Sequence, residues 1–83
     1  MSAKEMFEKL GYETLFLPYD YHKEYKNGRE IFISFDTKKK TVAKGKCGFV
    51  VEPMDLKDIT ITMSELKAIN KQVEELGWLD GRN

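Results

Sequence analysis

The sequence predicts a small α+β protein: an antiparallel meander of three to four strands, flanked by an N-terminal and a C-terminal helix packed on one face of the sheet. Both ends of the chain carry helix start and stop signals, and hydrophobic residues between them alternate with polar ones. The chain has 83 residues, a length that fits one small domain over 1–83.

The N-terminal helix begins with the capping-box pattern Ser2-Ala3-Lys4-Glu5, in which Ser and Glu satisfy each other's free amides. Met6, Phe7 and Leu10 then share one helical face, and Gly11 supplies a left-handed stop. A helix this short is not stable alone and must dock on the rest of the protein.

The C-terminal helix is predicted over 63–76, from the capping-box pattern Thr62–Glu65 to the stop at Gly77. On a helical wheel, one apolar stripe includes a single polar member, Asn70. We expect the stripe to be buried against the sheet residues Ile31, Ile33 and Phe35. The stripe comprises Met63, Leu66, Ile69, Val73 and Leu76 with Asn70, whereas Lys67, Lys71, Gln72, Glu74 and Glu75 lie outside it.

A period of two marks the strands. Ile31, Ile33 and Phe35 alternate with polar residues, and Tyr19, Tyr21 and Tyr25 do the same upstream. A two-residue turn at Asn27-Gly28 would set charged residues opposite the aliphatic ones. We therefore predict a three-residue loop over 26–28 that pairs Tyr25 with Arg29, Tyr21 with Ile33 and Tyr19 with Phe35, with a bulge at Gly28.

The remaining segments are assigned from turn signals. Residues 36–40 predict a hairpin loop before a short strand over 41–44, and residues 45–48 predict a flexible corner. Residues 49–51 form either a fourth strand or the tail of the third. Pro18 interrupts 15–17, which is therefore either an edge segment or a bulged approach to the tyrosine strand.

Charge is unevenly distributed along a neutral chain. Residues 21–51 hold eight basic and three acidic side chains, and the flanks carry the opposite excess. Lysines beside strand aromatics are typical of single-strand nucleic-acid binding, but lysines also solubilise hairpin tips and protect sheet edges. The candidate nucleic-acid contacts are Lys38, Lys39, Lys40, Lys44 and Lys46.

Residue chemistry argues against an enzyme. Cys47 has nearby lysines, but a nucleophile needs a base, and the only histidine, His22, belongs to another strand. The sequence contains no phosphate loop, nucleophile elbow or metal-ligand motif. We therefore expect no catalytic residues, no metal and no cofactor. No apolar run approaches the ~18 residues of a membrane span, and we expect no membrane association.

Asn70, Trp78 and Leu79 are the candidate protein contacts. Asn70 interrupts an apolar stripe, either to hydrogen-bond a loop or to fix the register of a self-association seam. Tryptophan is over-represented in protein–protein hot spots, and Trp78-Leu79 follows the helix end.

The chain also resembles small uncharacterised proteins from phages and prophages of Gram-positive bacteria. The resemblance is carried by the run 61–78, by the opening Phe7-Glu8-Lys9-Leu10-Gly11-Tyr12, and by Phe35-Asp36 before a lysine-rich turn and Thr41-Val42. It covers most of the chain, with 43–58 matching least, and supplies no catalytic residues.

The resemblance implies a phage-derived accessory protein in the cytoplasm of the host bacterium. Taken with the absence of a catalytic constellation, it predicts a non-enzymatic protein-interaction module. Its partner would be an unidentified host or phage protein, and the protein itself a monomer or weak homodimer. Weak nucleic-acid binding through the basic central hairpins is the alternative.

Overall fold

The computed structural model describes residues 1–14, 16–26, 29–47 and 59–80. It contains a helical unit, formed by Met1–Gly11 and the residues from Ile61 onward, and a sheet unit, Tyr12–Thr60. The α-helices are α1 (Ala3–Lys9) and α2 (Met63–Glu75), and a short 3₁₀ helix spans Trp78–Asp80. The strands are β1 (Glu13–Thr14), β2 (Asp20–Lys26), β3 (Arg29–Asp36) and β4 (Thr41–Cys47). The four strands form an antiparallel sheet in the order β1-β2-β3-β4. The α+β class is therefore confirmed.

Both helices begin at the predicted capping boxes, and α2 ends at Glu75, one residue before the predicted end. The Glu5 amide donates to Ser2 Oγ at 3.2 Å, and the Ser2 amide donates to Glu5 Oε1 at 3.1 Å. After the last turns, Gly11 and Gly77 adopt φ values of 92° and 75°, a region that glycine enters without steric cost. Short sequence patterns thus determine the ends of both helices.

The two helices contact each other within the helical unit. The Ala3 amide donates to Glu75 Oε2 at 2.8 Å, which ties the first turn of α1 to the last turn of α2. Ala3, Phe7 and Ala68 are completely buried, and small residues such as alanine allow helix backbones to approach closely. This contact supplies the docking that an isolated two-turn helix needs.

The buried face of α2 differs from the prediction. Ile69 is buried as expected, but Leu66 is 39% exposed and Met63 is 68% exposed. Asn70 is exposed, and Val73 and Leu76 are half-buried. Instead, the buried residues of α2 are Glu65, Ala68, Ile69 and Gln72. That the helix packs against Ile31, Ile33 and Phe35 stays a prediction.

Hydrogen bonding lowers the cost of placing Glu65 on the buried face. The Thr62 amide donates to Glu65 Oε1 at 2.9 Å, and the Glu65 amide donates to Thr62 Oγ1 at 3.1 Å. A carboxylate with such a partner can be buried at lower cost than an unpaired one. Hydrophobicity alone therefore does not determine which face of α2 is buried.

The central register of the sheet is confirmed. Tyr21 pairs with Ile33, and the Phe35 amide donates to the Tyr19 carbonyl at 3.1 Å. The predicted Tyr25–Arg29 pair is wrong: Arg29 pairs with Lys26, and the register shifts between Glu24 and Lys26. Because of this irregularity within β2, Tyr21 and Ile33 lie on the same face of the sheet. A two-residue connection alone would place them on opposite faces. The predicted bulge residue Gly28 lies outside the described residues.

Two other boundaries differ. β4 continues to Cys47, so the predicted corner at 45–48 is wrong at least through Cys47. A short strand not predicted from the sequence, β1, pairs Glu13 with His22 and Thr14 with Tyr21. The segment 49–51, predicted as strand, lies outside the described residues.

Gly45 lies inside β4 because Phe32 of β3 occupies the space beside it. The two residues are cross-strand partners, and a Cβ atom at Gly45 would lie 2.5 Å from Phe32 Cζ. The position of the Phe32 ring therefore requires a residue without a Cβ atom at position 45.

We expect Gly45→Ala to destabilise the protein by about 1–3 kcal/mol, the usual cost of overpacking. Adding Phe32→Leu should recover part of the loss, since it removes the ring atoms that meet the new methyl group. Urea denaturation of the wild type, both single variants and the double variant measures this coupling. Additive effects would show that the Phe32 contact does not explain the glycine.

Candidate functional site

The sheet separates its charges by face. Cross-strand pairing places carboxylates from β1, β2 and β3 on one side of the sheet, which we call the carboxylate face. Aliphatic, aromatic and basic side chains occupy the other side of the sheet, which we call the aliphatic face. The carboxylate face holds Glu13, Asp20, Glu24, Glu30 and Asp36 with His22 and Phe32, and the aliphatic face holds Tyr21, Lys23, Arg29, Ile31, Ile33, Phe35, Lys44 and Lys46.

The five lysines singled out in the sequence divide into two groups. Lys38, Lys39 and Lys40 are exposed in the β3–β4 turn. Lys44 and Lys46 lie on the aliphatic face, opposite Ile33 and Ile31, and are half-buried. Lys44 Nζ also donates to the Thr60 carbonyl at 2.6 Å. The exposed basic surface of β4 is thus smaller than the sequence suggests.

The two buried tyrosines, Tyr12 and Tyr21, do not extend that basic surface. Tyr21 is 2% exposed and stacks edge-on to Phe35, with 6.2 Å between ring centroids. Tyr12 is also 2% exposed, and Lys23 Nζ lies 4.7 Å from the centre of its ring, a cation–π distance. The Tyr25 side chain lies outside what the structure describes. Neither buried ring is available for base stacking, which requires an accessible aromatic face.

The carboxylate face carries a local repulsion. Glu24 and Glu30 are direct cross-strand partners, and like charges in that position destabilise a sheet. At the end of β3, Asp36 Oδ1 accepts from the Lys38 and Lys39 amides, both at 3.0 Å. The bond from Lys39, despite an opposing desolvation effect, holds the pKa of Asp36 below its ordinary value. This carboxylate thus stays charged at neutral pH, and the face repels polyanions.

His22 and Cys47 both lie beside Glu30 on this face. His22 Nδ1 is 3.6 Å from Glu30 Oε2, an ion-pair distance but too long for a hydrogen bond. Cys47 Sγ is 4.0 Å from the same oxygen. A nucleophilic pair needs an imidazole that takes the thiol proton directly, whereas both groups here contact the glutamate. His22 and Cys47 therefore share one contact partner, the Glu30 carboxylate.

Within the described ranges, no group of three or more His, Cys, Asp or Glu side chains could hold a metal ion. Over the same residues, neither helix has the length and apolar character that crossing a bilayer would require.

The helical unit exposes several large apolar side chains. We define the exposed helical surface as Met63, Leu66 and Asn70 on α2, together with Ile61 before the helix and Leu79 after it. Ile61 is 46% exposed and Leu79 is 70% exposed. Of the predicted protein contacts, Asn70 and Leu79 are therefore accessible, whereas Trp78 is half-buried and already engaged in an interaction within the protein.

Sequence reasoning missed Met63 and Leu66 as surface residues because it assigned the whole apolar stripe to the core. One signal was available. Ala68 lies next to Gln72 and Glu65 on the wheel, and a small residue at such a position is suited to close helix packing. The capping-box role of Glu65 also supplies its carboxylate with a partner.

No protein family, curated protein or solved structure matched this chain in the three comparisons made. The likeness to phage proteins therefore stays a prediction.

We expect no binding to single-stranded DNA or RNA tighter than about 10⁻⁴–10⁻⁶ M at physiological salt, the range of non-specific association. Any residual binding should come from the β3–β4 turn. Replacing Lys38, Lys39 and Lys40 with alanine should then flatten the log–log salt slope by about two, at about 0.7 per lost phosphate contact. Fluorescence anisotropy over a salt series measures both quantities.

Replacing the exposed lysines Lys4, Lys9 and Lys67 with alanine is the matched control, because it removes the same charge elsewhere. Its slope should remain that of the wild type. A nanomolar, salt-sensitive complex would contradict this expectation and the burial of Tyr12 and Tyr21.

Proposed function

We propose that this protein is a non-enzymatic, phage-type accessory protein that acts as a protein-interaction module in the bacterial cytoplasm. Its contact surface is the exposed helical surface, and its partner is a host or phage protein.

The observation that carries the proposal is the accessibility of α2's apolar side chains. Single exposed hydrophobic residues are common on any protein. Here Met63 and Leu66 are adjacent on one helical face, and they are 68% and 39% exposed. Grouped apolar side chains rimmed by charges are typical of protein-binding surfaces.

The rim has suitable chemistry. Lys67 and Glu74 are exposed on α2 beside this face, and Lys71 Nζ lies 3.6 Å from Glu74 Oε1. An amphipathic helix that presents apolar anchors between charges is a common recognition element in protein complexes. The carboxylate face supports a protein partner over a nucleic acid, because five carboxylates on one sheet surface repel phosphates.

Affinity capture from a Gram-positive host lysate, with and without phage infection, tests the proposal. The wild-type chain should retain a saturable protein partner. Leu66→Gln should weaken that binding by at least about fivefold, which corresponds to the ~1 kcal/mol loss that marks an important contact. Binding is then quantified with the purified partner by calorimetry.

Leu17→Gln is the matched control, because Leu17 is 60% exposed but belongs to the sheet unit. It makes the same chemical change away from α2 and should leave binding unchanged. Equal losses in both variants would contradict the assignment of the contact surface, and no saturable partner under either condition would remove support for the function.

A further inference from the structure

We propose that the exposed helical surface also pairs with a second copy of this chain, as a weak antiparallel homodimer with its two-fold axis beside Asn70. The proposal rests on the proposed function, since it names one occupant of the same surface.

The residues that α2 leaves accessible recur at a regular spacing. Met63, Leu66, Asn70 and Val73 are separated alternately by three and four residues, which is the a/d spacing of a coiled-coil seam. Met63, Leu66 and Asn70 are exposed and Val73 is half-buried. The buried face of α2, with Ala68 and Gln72, lies on another side of the helix. α2 therefore uses one face for the contact with α1 and leaves a second face accessible for pairing.

Asn70 has the position that such a seam requires. In coiled coils, a buried asparagine at an a position lowers stability but specifies register and oligomeric state. An amide carries both donors and an acceptor, so two Asn70 side chains across a two-fold axis can bond to each other. This role explains a polar residue in an apolar stripe, since Asn70 lies outside the face that the chain buries itself.

Charge complementarity selects the antiparallel orientation. Lys67 and Glu74 both take the e position of the heptad, on opposite sides of Asn70 along the helix. Antiparallel pairing about Asn70 brings Lys67 of one copy near Glu74 of the other, and symmetry creates the contact twice. Charges at these positions set the orientation of coiled-coil pairs.

The ends of the seam are also self-complementary. Ile61 and Leu79 lie equally far from Asn70 in sequence, one before α2 and one after it, and they are 46% and 70% exposed. Antiparallel pairing places Ile61 of one copy near Leu79 of the other. Exposed apolar residues at both ends thus face each other across the interface.

The size of the seam predicts a weak dimer. α2 has 13 residues and is about 20 Å long at 1.5 Å per residue. A stable interface buries about 800 Å² on each partner, which one face of a short helix does not supply. We therefore expect a dissociation constant between about 1 μM and 1 mM.

Sedimentation equilibrium of the purified full chain, up to about 1 mM protein to cover that affinity range, tests the proposal directly. The average mass should rise with concentration from that of a monomer toward that of a dimer. Asn70→Asp should weaken the association by tenfold or more, because two carboxylates would meet on the axis. Asn70 is exposed, so this near-isosteric change should leave the circular dichroism spectrum unaltered.

A charge exchange tests the orientation. Lys67→Glu and Glu74→Lys should each weaken the dimer by about three- to tenfold, within the range of exposed ion pairs doubled by symmetry, and the double variant should restore it. Failure of the double variant to restore association would overturn the antiparallel arrangement. A strictly monomeric wild type at about 1 mM would overturn the second-copy proposal altogether. After either result, the separate capture of a host or phage partner still tests the proposed function.

Discussion

The buried face of α2 includes a carboxylate, and the reciprocal hydrogen bonds between Thr62 and Glu65 lower the cost of burying it. Glu65 is 4% exposed, and the Thr62 amide 2.9 Å from its carboxylate provides the partner that a buried charge requires. With Glu65 turned inward, Ala68, Ile69 and Gln72 follow on the same face. Two consequences follow: α1 can dock against α2, and part of the apolar stripe stays accessible.

A second constraint acts in the sheet. Because side chains alternate between faces, the register of β2 on β3 decides the side on which every charge lies. Tyr21 opposite Ile33 puts Asp20, Glu24 and Glu30 together on the carboxylate face. A chain with no net charge thereby acquires a sheet with one acidic face, and its central lysines lie in the turn or beside aliphatic residues. The interpretation of the basic segment as a nucleic-acid surface loses its main support for this reason.

The sequence contains enough local information to predict the class, both capping boxes, both glycine stops and the central pairing of β2 with β3. These features depend on a few neighbouring residues. The buried face of α2 could not be predicted from a wheel, because polarity favours exposing Gln72 and Glu65, whereas burial is decided by their partners and by the small Ala68. β4 was predicted too short because glycine usually ends a strand, whereas Gly45 makes room for Phe32. Neither effect is visible without the cross-strand or helix–helix contacts.

The exposed helical surface exists only if α2 buries Ala68 and exposes Leu66 and Asn70, and thiol labelling measures this most directly. Single cysteines would replace Ala68, Leu66 and Asn70 in a Cys47→Ser background, which removes the exposed native thiol. Alkylation at about 0.1 μM protein, tenfold below the lowest dissociation constant expected for the dimer, keeps the chain monomeric. Cysteines at 66 and 70 should react within about tenfold of their rate in denaturant, while that at 68 should be protected at least about a hundredfold, as expected for a core position. Protection at 66 with rapid reaction at 68 would show that the apolar stripe is buried after all, and would contradict the account.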